Sequence, residues 1–305
     1  MRMQVGRVAA TVAVIAAVVS GCGGPDQAGS AVIIGQDAVS LERVQSQLTT
    51  ALSRTDQFAQ YTAQGGSAAT LSRDAVTSEV LHDLLTRRAA QDGIVITDAQ
   101  VDAELAGNGG AEATLARTYY DMPTLRERVR DSLIATQIGQ RVVPGLAVTV
   151  DLVGAASRAD AEQAARTLAK GGPEADALFT NPQTAVRNAT YQAASAPSAA
   201  GTVVFGVPAG TVGVFKPDPQ GSTWAAFRVV DRRTDMPSDP AAVSNISQAE
   251  LLAIGQRAVQ PAAEQLSIRV NPRYGEWDPV QFRVVPAGQQ EGMIILPPEP
   301  APAVG

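Results

Sequence analysis

A chain of 305 residues whose only cysteine is Cys22 can close no disulfide within itself. Its fold must therefore rest on what its own apolar side chains bury. The length suffices for two ordinary domains, and 45% of the residues are hydrophobic, so a core is available. The formal net charge of −6 argues against nucleic acid as a partner and against electrostatic adhesion to anionic lipid. The sole histidine is His82. Chemistry that needs several imidazoles or thiols is thereby excluded, and no cofactor is expected.

The position of Cys22 is itself informative. Arg2 and Arg7 form a basic leader, residues 8–19 are apolar but too few for a comfortable membrane span, and small residues lead to Cys22. The run Val19-Ser20-Gly21-Cys22 resembles the bacterial lipobox, in which the thiol is acylated and the chain is cut just before it. That resemblance implies a signal peptide over residues 1–21, a small polar tether over 22–30, and a mature lipoprotein of the cell envelope. Its partner there would be the membrane, reached through N-terminal lipid (palmitate among the acyl groups) on Cys22; two acyl chains anchor stably, one only marginally.

Residues 31–34 read as a short strand, closed by the turn at 35–37. Ser40 is a plausible N-cap, but Arg43 follows where a capping box would place Glu or Gln. Leu41, Val44, Leu48 and Leu52 then recur at helical spacing. A second helix runs over residues 72–91, with Val76, Val80, Leu84 and Leu85 on one stripe, and ends at Gly93. Thr97 can cap a shorter helix that carries Val101 and Leu105. Pro123 opens a helix reaching to about residue 141, which Pro144-Gly145 stops.

After Gly145 the period changes. Residues 148–153 read as a strand, Ser157 caps a helix to Lys170, and residues 174–200, with little periodicity, read as short helical turns in a loop. Residues 202–205 and 212–215 are apolar pieces, and 224–230 is the clearest strand of this half. An amphipathic helix over 247–266, which Pro261 should kink or divide into a new segment, is followed by a strand at 268–270. From Val285 onward the chain is Pro-rich and is expected to be disordered or extended. The fold class is α+β.

Laid out this way, the chain resembles the SurA/PrsA family of extracytoplasmic chaperones and peptidyl-prolyl isomerases. Residues 32–39 resemble the family's opening strand, turn and first helix. Residues 88–105, around Gly93-Ile94-Val95-Ile96-Thr97-Asp98, resemble its passage from long helix through Thr-Asp to the next helix. The middle resembles a parvulin domain, with 150–153 as first strand, 157–170 as first helix and 208–231 as final loop and strand. The resemblance implies a helical domain over residues 31–145, an inserted parvulin-like α+β domain over 146–236, and a C-terminal helix and strand over 237–285 completing the first domain. A disordered tail would occupy 286–305. It further implies that residues 268–270 pair against 31–34.

The departures decide the expected activity. The family's paired histidines fall where this chain has Val150 and Ala225, and its Gly-Gly-acidic-Leu-Gly turn is missing. Isomerisation needs only a pocket that favours the twisted amide, over a barrier of roughly 18–20 kcal/mol. Loss of the polar network therefore points away from catalysis without forbidding it.

The expected function is a lipid-anchored holder of unfolded or secreted polypeptides, with Leu41, Val44, Leu48, Phe58, Tyr61, Leu84 and Leu85 as candidate groove residues. The alternatives are a divergent prolyl isomerase using an apolar pocket around Phe205, Phe215 and Phe227, and a structural envelope scaffold. His82 beside Glu79 and Asp83 is too poor a ligand set for a transition metal. Asp98, Asp102 and Glu104 suit a helix N-terminus better than a catalytic carboxylate pair. No Gly-x-Ser-x-Gly elbow occurs. Residues 271–279, with Tyr274, Arg273 and Trp277, read as a turn-rich cover on the helical domain or as a recognition surface.

Overall fold

The computed structural model describes residues 28–218 and 221–296. Cys22, the leader before it and the last nine residues of the tail lie outside the described residues. The architecture is mixed α+β with small antiparallel sheets.

Strand β1 (Ser30–Ile34) is wholly buried and turns through Gly35 into β2 (Asp37–Ser40). Helix α1 (Leu41–Ser53) starts on the Ser40 side chain, which accepts from the Arg43 backbone N–H. The short α2 (Thr55–Ala63) buries no residue. The long α3 (Ala68–Asp92) begins one turn earlier than its apolar stripe suggests, because Ser67 caps it. It ends at Gly93, whose left-handed φ of 64° suits glycine. Thr97 and Gln100 form a capping box on α4 (Asp98–Gly107). After the short α5 (Ala111–Ala116), α6 (Met122–Val142) starts with Asp121 as cap and Pro123 in its first turn.

The chain then builds a second unit. Strand β3 (Ala147–Ala155), helix α7 (Arg158–Lys170), the short α8 (Gly172–Ala177) and β4 (Ala185–Gln192) come first. Two helical turns, α9 (Pro197–Ala200) and α10 (Val203–Gly206), precede β5 (Val212–Phe215) and β6 (Trp224–Arg233). Short α11 (Pro240–Ser244) leads to α12 (Gln248–Ala258) and α13 (Gln260–Leu266), divided where Pro261 sits. Strand β7 (Ile268–Val270), the hairpin β8 (Glu276–Asp278) and β9 (Arg283–Val285), and β10 (Met293–Ile295) complete the described chain.

Strand β7 pairs antiparallel with β1, Val270 opposite Val32 and Ile268 opposite Ile34, so the expected pairing of 268–270 with 31–34 is present. A first core gathers β1, α3, α4 and α6, and α12, α13 and residues 274–284 return to it through Ala258, Val259, Ala263, Tyr274, Phe282 and Val284. Tyr274 is buried there, and Trp277 meets Phe282 edge-on at 5.2 Å. In the second unit a five-stranded sheet, ordered β10-β5-β6-β3-β4, is covered by α7 on one face. Residues of α9, α10 and α12 cover the other.

Helix α12 serves both cores: Ile254 belongs to the second and Ala258 to the first. It crosses α6 at two glycines. A Cβ on Gly255 would lie 1.7 Å from the Ala135 carbonyl oxygen, and one on Gly139 would lie 2.1 Å from that of Leu251. Only glycine admits this approach.

Two expectations need correction. The stretch 174–200 holds the expected short helical turns in α8 and α9, but between them lies edge strand β4, whose solvent-facing polar residues hide the alternation of a strand. Asn188 sits there at φ 52° in a bulge, its N–H donating to buried Asp151 at 2.8 Å. Nor is the tail disordered from 286: Glu291 N–H donates to Asp278 at 2.7 Å, and β10 pairs with β5. Its side chains alternate, Ile294 toward the second core and Met293 and Ile295 toward α7, so an apolar run overrides its Pro-rich surroundings.

Candidate functional site

An apolar cleft of about 350 Å³ opens on the α9/α10 side of the five-stranded sheet. Strand β3 forms its floor with Val150 and Leu152, and β4 contributes Tyr191 at one rim. The turns α9 and α10 bring Ser198, Ala199, Val204 and Phe205 over it, with Thr202 between them. Phe215 and Pro217 close the far side. Phe205 and Phe215 are mostly buried yet face the opening. Phe227 lies behind, fully buried, with its ring edge-on to Phe215 at 5.6 Å. Gly213 makes room for it, since a Cβ there would lie 2.6 Å from the Phe227 ring. Of the three phenylalanines expected to form a pocket, two line it and the third buttresses one of them.

The cleft's chemistry is that of shape and apolar surface. Its polar side chains are hydroxyls: Ser198, Tyr191, and Thr202, whose OH donates to the Ala199 carbonyl at 2.7 Å. Among the described residues, no acid, imidazole or ammonium lines it. Val150 is completely buried in its floor, and Ala225 packs in the core behind.

Most residues expected to line a groove in the helical half serve its core. Val44, Leu84 and Leu85 are sealed inside the first core, and Leu41 and Leu48 pack against it. The stripe that marks an amphipathic helix is the face it spends on its own core. Phe58 and Tyr61 are the exception. They extend a partly exposed aromatic row, Phe58–Tyr61–Tyr119–Tyr120, with centroid separations of 6.3, 5.7 and 4.9 Å.

His82 also lies elsewhere than its sequence neighbours suggest. It faces neither Glu79 nor Asp83 but Asp131 of α6, with Nδ1 2.8 Å from Oδ1. Around it runs an ionic network. Glu79, only 2% exposed, accepts from Arg43 at 2.5 Å, Gln47 at 2.8 Å and Arg128 at 3.0 Å. Arg128 also ion-pairs with Glu127 at 2.5 Å and with Asp131 Oδ2 at 3.3 Å, the latter outside hydrogen-bond geometry.

His82, Glu127 and Asp131 bring ligand atoms within 4.8 Å of one another, the set that could hold a metal ion. Arg128 already supplies countercharge to both carboxylates, so an entering cation would meet a guanidinium. Asp98 and Asp102 are likewise engaged, by Arg130 and Arg126 of α6.

The hydrogen bond to Asp131 raises His82 above the ordinary imidazole range, against the opposing effect of burial. Folded His82 therefore keeps its proton to higher pH than the unfolded chain, whose value is about 6.5. The linked stability is full below that value and is lost as pH rises through the folded one. We expect the melting-temperature difference between the native chain and His82→Gln to be largest near pH ~5.5 and to shrink toward pH ~8. A difference independent of pH would contradict this.

Sequence reasoning missed Arg257, the group that fastens the C-terminal segment to the second unit. Buried on α12, it donates to the carbonyls of Gly201 and Val280 at 3.2 Å each and to Gln260 at 2.7 Å. Burial lowers its pKa to about 10. Its place on a regular helical pattern offered no signal of this role.

No helix among the described residues is long and apolar enough to cross a membrane. No protein-family model matches the chain, and no curated protein matches it.

Proposed function

We propose that this chain is a lipid-anchored, extracytoplasmic holder of polypeptides, seating short apolar segments of unfolded or secreted clients in the cleft of the second unit. The observation that carries the reading is the cleft itself: about 350 Å³, walled by Phe205, Phe215, Val150 and Leu152, with hydroxyls as its polar side chains. Such a surface binds by burial and shape, and discriminates little between sequences. The return of α12, α13 and β7 to the first core supports the resemblance to SurA-type chaperones, in which a helical domain is completed from the C-terminal side.

A charge placed in the cleft tests this. Leu152→Glu or Ala199→Arg is expected to weaken binding of a labelled, proline-containing apolar peptide by about tenfold or more, since an unpaired charge must be desolvated. Fluorescence anisotropy reads the binding, and suppression of client aggregation should fall with it. Unchanged affinity in both variants would remove the cleft from the proposal.

The divergent-isomerase reading draws on the same Phe205–Phe215 pair. It requires proline isomerisation faster than buffer, and we expect none because the cleft's described lining holds hydroxyls but no acid, imidazole or ammonium. The address is checked on the same material: Cys22→Ser should abolish incorporation of a palmitate analogue.

A further inference from the structure

A second cleft, of about 430 Å³, lies where the two units meet, between α3, the α12–α13 bend and the end of β6. Its chemistry is opposite to that of the apolar cleft. Arg87, Arg88 and Arg232 all line it. Arg87 is held by Asp83 and Asp37, and Arg88 by Asp92 at 2.7 Å through Nε.

Arg232 differs. Among the described residues no carboxylate forms an ion pair with it, and its one hydrogen bond runs from Nε to the Phe205 carbonyl at 3.2 Å. Burial, and then the like charge of Arg88, both push its pKa down. A desolvated guanidinium beside another cation is a costly arrangement unless something anionic completes it.

We infer that this cleft binds a phosphate monoester, with its phosphoryl oxygens between the terminal nitrogens of Arg232 and Arg88. Each of these arginines commits its Nε to a protein oxygen and leaves terminal N–H groups for a ligand. A carboxylate has two oxygens, enough for one guanidinium fork. A phosphate monoester offers three terminal oxygens and more charge, which suits two guanidiniums at once. Pro261, Ala262 and Leu266 at the α12–α13 bend give the cleft an apolar side that fits the organic part of the ester. This inference stands apart from the polypeptide-holding proposal, because the two clefts share no residue.

The test is thermal melting of the full chain titrated with phenyl phosphate, inorganic phosphate and benzoate, at ionic strength held constant with sodium chloride. Phenyl phosphate should give a saturable rise in melting temperature, inorganic phosphate a weaker one, and benzoate little. Arg232→Gln should raise the half-saturating concentration about tenfold or more. Gln91→Glu, which brings a carboxylate to the cleft without removing a hydrogen bond made by Arg232, should do the same while raising the melting temperature of the unliganded chain. The inference is overturned if no phosphate effect exceeds that of chloride, if both variants respond like the native chain, or if benzoate matches phenyl phosphate.

Discussion

Gly255→Ala is expected to destabilise the protein by about 3 kcal/mol or more, at the upper end for overpacking by a single methyl group. The added Cβ would fall 1.7 Å from the Ala135 carbonyl oxygen, and 3.0 Å from the Gly139 backbone nitrogen. Both neighbours belong to α6, so relief requires moving one helix against the other rather than turning a side chain. Because α12 serves both cores, that movement opens each of them. Urea unfolding measures the loss, and the unfolding of the two units should shift together. Gly107→Ala is the control. Its Cβ would meet nothing within 4 Å at the end of α4, and the substitution should be neutral or stabilise by about 0.5–1 kcal/mol. A loss below about 1 kcal/mol at Gly255 would mean that the helices cross less closely than described.

Glu79→Ala is expected to cost about 3–5 kcal/mol, the range for removing one partner from a buried ionic cluster. Three donors converge on this carboxylate, and truncation leaves the mostly buried Arg128 with less countercharge and Gln47 without an acceptor. Glu79→Gln, which keeps an acceptor oxygen, should cost clearly less. Replacing Glu79 and Arg128 together by apolar residues should recover part of the loss, since the opposite charges leave together while Glu127 keeps Arg43 and Asp131 keeps His82. A double-mutant cycle in urea gives the coupling, and additive losses would show that the two side chains act independently.

How much of this was legible in the sequence depended on which signal each element carries. Helices announced themselves through caps and stripes: Ser40, Thr97, Ser157 and Ser247 each accept from a backbone N–H of the following turn. The pairing of β7 with β1 followed from the resemblance, not from either strand's own pattern. Strand β4 stayed hidden because Arg187, Asn188 and Thr190 are set by solvent at a sheet edge and carry little apolar alternation. The apolar cleft was half legible. Phe205 and Phe215 stand out as apolar pieces, but Leu152 and Tyr191 join them only through strand order. Which helical residues would face a client was not legible, because one apolar stripe cannot say whether it faces a core or a partner. Arg232 carried no local signal, since what sets it apart is which side chains the fold brings beside it.

The closing of the first sheet has a consequence in time. Asn271 Nδ2–H donates to the Ser30 carbonyl across 241 residues of chain, alongside the β1–β7 ladder. A ribosome adding ~5–20 residues per second presents the later segment on the order of 10–50 s after the earlier one. During that interval Val32, Ile33 and Ile34 lack the neighbour they have in the finished sheet. The first unit thus cannot close its sheet until residues 268–271 have emerged, however early the helices of its N-terminal part form.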